Sequence, residues 1–183
     1  MGQIKKAEPA KLIVGFIFRD PDILRRAVSL LERNFGKIDF ESGIIPFEHT
    51  DYYEKEFGKG LKRIFVSFKK LILYENLPQI KILTNKIEHQ LAKGACRLIN
   101  IDPGYLDLAK LILASTKDFR HRIYLNKGIY GDPTLFFQNK TFQIWEWTFP
   151  DYRTDEYIAI FNQIREIYAK QIKNVPHIPG SAP

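Results

Sequence analysis

Leu12-Ile13-Val14-Gly15-Phe16-Ile17-Phe18, followed by Arg19-Asp20-Pro21, is the stretch that decides the fold. A short uninterrupted apolar run rich in β-branched residues predicts a strand covered on both faces. Asp20 then offers a side-chain cap and Pro21 a preset first-turn φ. Ile23, Leu24, Ala27, Leu30, Leu31 and Phe35 recur on one helical face as far as Gly36. A buried strand feeding an amphipathic helix is a β-α unit, and the rest of the chain is read outward from it.

Lys37 to Phe47 reads as a strand broken at Gly43 and Pro46, followed by a polar, aromatic loop from Glu48 to Glu54. Arg63 to Leu73 alternates Ile64, Val66 and Phe68 with Phe65, Ser67 and Lys69, the period of a strand. Leu77 to Leu91 is helical through Ile80, Leu83, Ile87 and Leu91, and Arg97 to Ile101 supplies another strand. The order β-α-β-β-α-β is that of a ferredoxin-like split unit.

Pro103-Gly104 fits the centre of a type II turn, and Asp107 to Ser115 permits either a short helix or a strand. His121 to Leu125, Gly128 to Phe137 and Thr141 to Trp147 predict a three-strand extension, its middle strand bulged near Asp132-Pro133. Thr154 caps a final helix whose Tyr157, Ile160, Phe161, Ile164, Tyr168 and Ile172 form one stripe. The expected fold is a single α+β domain over residues 1–174, a mainly antiparallel sheet with helices packed on it. A Pro-rich tail over 175–183 is expected to be loose.

Composition limits the function. The chain has 183 residues, 45% apolar and 14% aromatic, enough for one packed core. Lys and Arg total 28 against 21 Asp and Glu, and a net charge of +7 favours anionic partners: phosphorylated metabolites, nucleotides or nucleic acid. The lysines are spread along the chain, as on an ordinary solubilising surface. Cys96 stands alone, which excludes an internal disulfide and a cysteine-based metal cluster. With no signal-like N-terminus and no long apolar span, a cytoplasmic protein that does not enter the membrane is expected.

The second half carries the candidate chemistry. Lys117, Arg122 and Arg153 lie near turns, where they suit phosphate recognition, with Asp151 beside Arg153 in Pro150-Asp151-Tyr152-Arg153. His121 and Asp102 are the candidates for general acid or base, although a histidine at a strand end is more often held by a backbone carbonyl. Tyr105, Tyr130 and Trp147 are candidates to stack on a planar ligand, and His49 sits in the aromatic loop; core packing is the ordinary alternative for such rings. His49, Asp51, Asp102 and His121 lack metal-ligand spacing, so no metal site and no particular cofactor is assigned. Asn85-Lys86-Ile87-Glu88 is superficially like the guanine-reading element of GTPases, but it falls within a helix and no phosphate loop accompanies it.

Four segments, Ile99 to Leu106, Lys110 to Asp118, His121 to Leu125 with Gly128-Ile129-Tyr130, and Trp147 to Arg153, resemble those of a prokaryotic family of unknown function numbered 4416. That resemblance spans nearly the whole chain and implies no activity. The residues themselves favour a cleft built from Asp102, Lys117 to Arg122, and Asp151 to Arg153. It would bind a small anionic ligand such as a nucleotide, with hydrolase or transferase chemistry if there is any. The alternatives are an RNA-binding module using basic and aromatic residues and a protein-binding subunit.

Overall fold

The computed structural model describes residues 2–4, 7–47, 58–94 and 96–173. Along these residues run β1 (Lys11–Phe18), α1 (Pro21–Phe35), β2 (Ile38–Glu41), β3 (Ile45–Pro46), β4 (Lys62–Phe68) and α2 (Leu77–Leu91). Then follow β5 (Ile99–Leu106), β6 (Lys110–Ser115), β7 (Ile123–Asn126), β8 (Ile129–Gln138), β9 (Thr141–Ile144) and α3 (Asp155–Lys173). The strands form one antiparallel sheet in the order β2-β4-β1-β5-β6-β8-β7, with β3 on β4 and β9 on β8.

The run β2-β4-β1-β5 has the strand order of the ferredoxin-like unit, with its two helices on one face. All of β1 is buried. Leu12, Val14, Phe16 and Phe18 meet Ile64, Val66 and Phe68 of β4 beneath Ile23, Ala27 and Leu31 of α1 and Ile80 and Ile87 of α2. Asp20 accepts from the Asp22 N–H at 2.8 Å and starts α1 as its sequence requires. The opposite face packs Ile13, Phe65, Leu106 and Leu135 under Tyr157, Phe161, Ile164 and Tyr168 of α3. Thr154 caps that helix through the Tyr157 N–H.

Three expectations are corrected. The extension has four strands rather than three, because Lys110 to Ser115, open between helix and strand from its sequence, is β6, and the Asp107 carboxylate closes the preceding turn through the Ala109 and Lys110 N–H groups. β4 stops at Phe68, and Ile72 instead bridges Ala10. Pro103 and Gly104 lie within β5 rather than in a turn. A Cβ on Gly104 would stand 2.5 Å from the Ile112 carbonyl oxygen, so this glycine serves the close approach of β6. The register shift of β6 against β8 falls between Leu111 and Ile112, opposite Pro133 to Leu135, where a bulge is expected.

The sheet opens at the β5–β6 seam. These strands pair only at Gly104↔Leu113, Tyr105↔Ile112 and Leu106↔Leu111. From Ile99 to Pro103, β5 pairs with β1 alone, while Ala114 and Ser115 of β6 continue beside β8. Pro103 has no N–H to extend the ladder. The polar groups that Ile101 turns toward the seam go to α2: its N–H donates to Glu88 Oε1 at 2.6 Å, and its carbonyl accepts from Lys81 Nζ at 3.1 Å.

Candidate functional site

A cleft of about 750 Å³ occupies this opening. Asn100 and Asp102 of β5 line one side, Leu113 to Lys117 line the other, and α2 closes it with Lys81, Asn85 and Glu88. Arg63 of β4, Asp132 of β8 and the turn from Phe149 to Tyr152 complete the wall. Among the described residues five cations, Arg63, Lys81, Arg97, Lys117 and Arg122, therefore meet four carboxylates, Glu88, Asp102, Asp132 and Asp151.

Arg63 forms the floor, its side chain 4% exposed. Gly15 makes room for it, since a Cβ there would come within 3.1 Å of Arg63 Nη1. Nη2 donates to Asp151 Oδ2 at 2.7 Å. Nη1 lies 3.8 Å from Asp102 Oδ2 and, like Nε, makes no hydrogen bond among the described residues. The guanidinium carbon is 5.0 Å from the Phe47 ring centroid, 5.3 Å from Phe65 and 5.7 Å from Tyr152, a cation boxed by rings. Burial opposes its charge, but the Asp151 and Asp102 carboxylates favour it, and its pKa is held above the ordinary value. Burial pushes the Tyr152 phenol up, against the pull of Arg63, so it is a neutral hydroxyl.

Side chains form a continuous polar line along the open edge of β5. Arg97 donates to Glu88 Oε2 at 3.0 Å and to Asn100 Oδ1 at 3.3 Å; Asn100 in turn donates to Asp102 Oδ2. Lys81 reaches Asp102 Oδ1 at 3.4 Å. Burial raises the Glu88 pKa, partly offset by Lys81, the Ile101 N–H and Arg97. Across the cleft, Arg122 Nε donates to Asp132 Oδ2 at 2.8 Å and Nη1 to the Lys117 carbonyl at 2.9 Å, which ties the Lys117 turn to β8.

Of the residues singled out from sequence, Asp102, Lys117, Arg122 and Asp151 come together in this cleft. The other candidates among the described residues do not line it. His121 lies behind it, stacked on Trp147 with centroids 5.0 Å apart and with Nε2 3.5 Å from Asp132 Oδ2. Trp147 donates to the Pro133 carbonyl and stacks on Trp145, both in the turn after β9 rather than on a strand face. Arg153 folds back on the Thr148 and Glu146 carbonyls at 2.7 and 2.8 Å, a structural role that removes it from the clamp. Tyr105 packs edge-on against Tyr74, and Tyr130 against Tyr124. His49 and Asp51 lie outside the described residues. Among the described residues no cluster of three or more His, Cys, Asp or Glu is arranged to hold a metal ion.

Arg63, Lys81, Glu88 and Arg97 escape the sequence reading. Their one signal is a charge at a core position: Arg63 sits in an otherwise buried strand, and Lys81 and Glu88 recur seven residues apart on the buried side of α2.

A family model described as a domain of unknown function, DUF4416, matches residues 8–168. The chain belongs to this family. The match takes in every strand, all of the cleft and α3 as far as Tyr168, so the cleft lies within what defines the family. No curated protein and no solved structure matches the chain. Asn85 and Glu88, the residues superficially like a guanine-reading element, lie within α2. No described helix is long and apolar enough to cross a membrane.

Proposed function

We propose that the β5–β6 cleft binds a small phosphorylated or otherwise anionic ligand of nucleotide size. The observation that carries this reading is the convergence, among the described residues, of five cationic side chains on one opening of about 750 Å³, in which each of the four described carboxylates is engaged by one of those cations. Such an opening falls in the volume range of small-molecule sites. Arg122, with Nε on Asp132 and Nη1 on the Lys117 carbonyl, keeps Nη2 for a phosphoryl oxygen, and Lys117 adds a point charge beside it. Phe149, 6.0 Å from the Arg122 guanidinium, and Phe47 supply apolar wall for a planar group.

The alternative of RNA on an open sheet face is less well supported, because α1 and α2 cover one face of β1 and β4 and α3 covers the other. If the protein is an enzyme, Asp102 is the sequence-predicted group inside the cleft able to move a proton, with Glu88 and His89 also on its wall, while His121 acts at most through Asp132. Thermal-shift and calorimetric titrations with pyrophosphate, nucleotides and sugar phosphates test the reading. Saturable binding that falls at least tenfold in Arg122→Ala is expected. The proposal fails if no anion stabilises the protein, or if the variant binds as tightly as the parent.

A further inference from the structure

We infer that the cleft floor recognises a hydroxyl-bearing carbon skeleton, so that the anionic ligand is a phosphorylated sugar or polyol, the ribose phosphate of a nucleotide included. The inference rests on the anion-binding reading for one end of the ligand and on Arg63 and Asp102 for the other.

Arg63 Nη1 is a buried charged donor that makes no hydrogen bond among the described residues, and leaving such a group unsatisfied is costly. The nearest carboxylate oxygen, Asp102 Oδ2 at 3.8 Å, is beyond direct hydrogen-bond distance. Asp102 is 26% exposed and lines the cleft, so a ligand can reach it. Lys81 donates to its Oδ1 and Asn100 to its Oδ2, and a carboxylate with about four lone-pair sites accepts more than these two bonds.

The group that completes this pair has to accept from Nη1 and donate to the carboxylate. A hydroxyl does both. A ligand carboxylate or phosphoryl group would meet the charges of Asp102 and Asp151, and an ammonium would meet Arg63. A carbonyl or ether oxygen would satisfy the guanidinium but offer the remaining lone pairs of Asp102 no donor. The floor therefore sorts for hydroxyls, while Lys117 and Arg122 across the cleft take the anionic end. Carboxylates read sugar hydroxyls in the same way in dinucleotide-binding proteins, where an Asp or Glu accepts from the ribose.

The test is calorimetric titration of the full chain with three probes: inorganic phosphate, ethyl phosphate and ribose 5-phosphate. Ribose 5-phosphate is expected to bind at least tenfold tighter than ethyl phosphate, which has carbon but no free hydroxyl. In Asp102→Asn the preference is expected to shrink below threefold, while ethyl phosphate binds as well or better because a negative charge is gone. Equal affinities of the two esters in the parent protein would overturn the hydroxyl site and leave the anion site standing. Asp102→Asn weakening all three probes alike would also overturn it, by assigning Asp102 a purely structural role. If no probe binds, the anion-binding reading itself fails. The comparison of esters in the parent protein stands even if the variant does not fold.

Discussion

The two halves of the β5–β6 seam solve one problem differently. From Gly104 to Leu106 the strands are zipped by their own backbones, and the glycine lets them close. From Ile99 to Pro103 the partner strand is absent, and side chains of α2 take the polar groups of Ile101. A backbone ladder needs no particular side chains. An edge satisfied by Glu88 and Lys81 demands charged residues at buried positions, and such charges give a cleft its chemistry.

The largest effect is expected where the zipped half is forced apart. Gly104→Val places methyl carbons against the Ile112 carbonyl and Leu113, which a Cβ alone already approaches within 2.5 and 2.9 Å. A loss of about 3 kcal/mol or more is expected in urea denaturation. A variant as stable as the parent would mean the strands do not approach so closely.

In the open half the matching change is Glu88→Ala, which strips a partner from both the Ile101 N–H and Arg97. The expected cost is about 1–3 kcal/mol, with Glu88→Gln retaining part of it because the carboxamide oxygen still accepts. Glu88 also links stability to pH. Its folded pKa is raised above the ordinary 4.5, chiefly by burial, so the folded state holds the proton more tightly. That contribution is present below about pH 4.5 and disappears as pH rises through the folded value, and Glu88→Gln should remove this component of the pH–stability curve. An unchanged curve would place the titration elsewhere.

Much of the fold was legible in the sequence, but the seam itself was not. The apolar run Leu12 to Phe18, the Asp20-Pro21 start and the stripe of α3 each follow from local pattern, and the ferredoxin-like strand order follows from their succession. Asp102, Lys117, Arg122 and Asp151 stood out as polar residues in short segments, and the fold gathers them. What misled was Pro103-Gly104, a pair whose local preference is a turn. It lies in a strand because Gly104 fits under β6 and Pro103 falls where no partner asks for its N–H. Arg63, Lys81 and Glu88 were hidden for a related reason: on their own elements they occupy core positions, and only the tertiary opening makes a charge there useful. Arg153 was a candidate phosphate clamp and His121 a candidate acid or base, yet nearby carbonyls hold the first and Trp147 with Asp132 encloses the second.

Pro103→Ala sharpens the comparison at lower amplitude. It adds an N–H beside the open seam and frees the unfolded chain, and a destabilisation of about 0.4–1 kcal/mol is expected from calorimetric melting. A loss several times larger would show that the proline positions the strand rather than merely ending its ladder.

The most direct test is a pyrophosphate titration of isotope-labelled protein followed by amide NMR. Saturable shifts concentrated at Ile101, Asp102 and Ala114 to Arg122 are expected, with the zipped residues Tyr105 to Leu111 nearly still. Shifts centred away from the seam, or none at saturating pyrophosphate, would contradict the assignment of the open half as a ligand site.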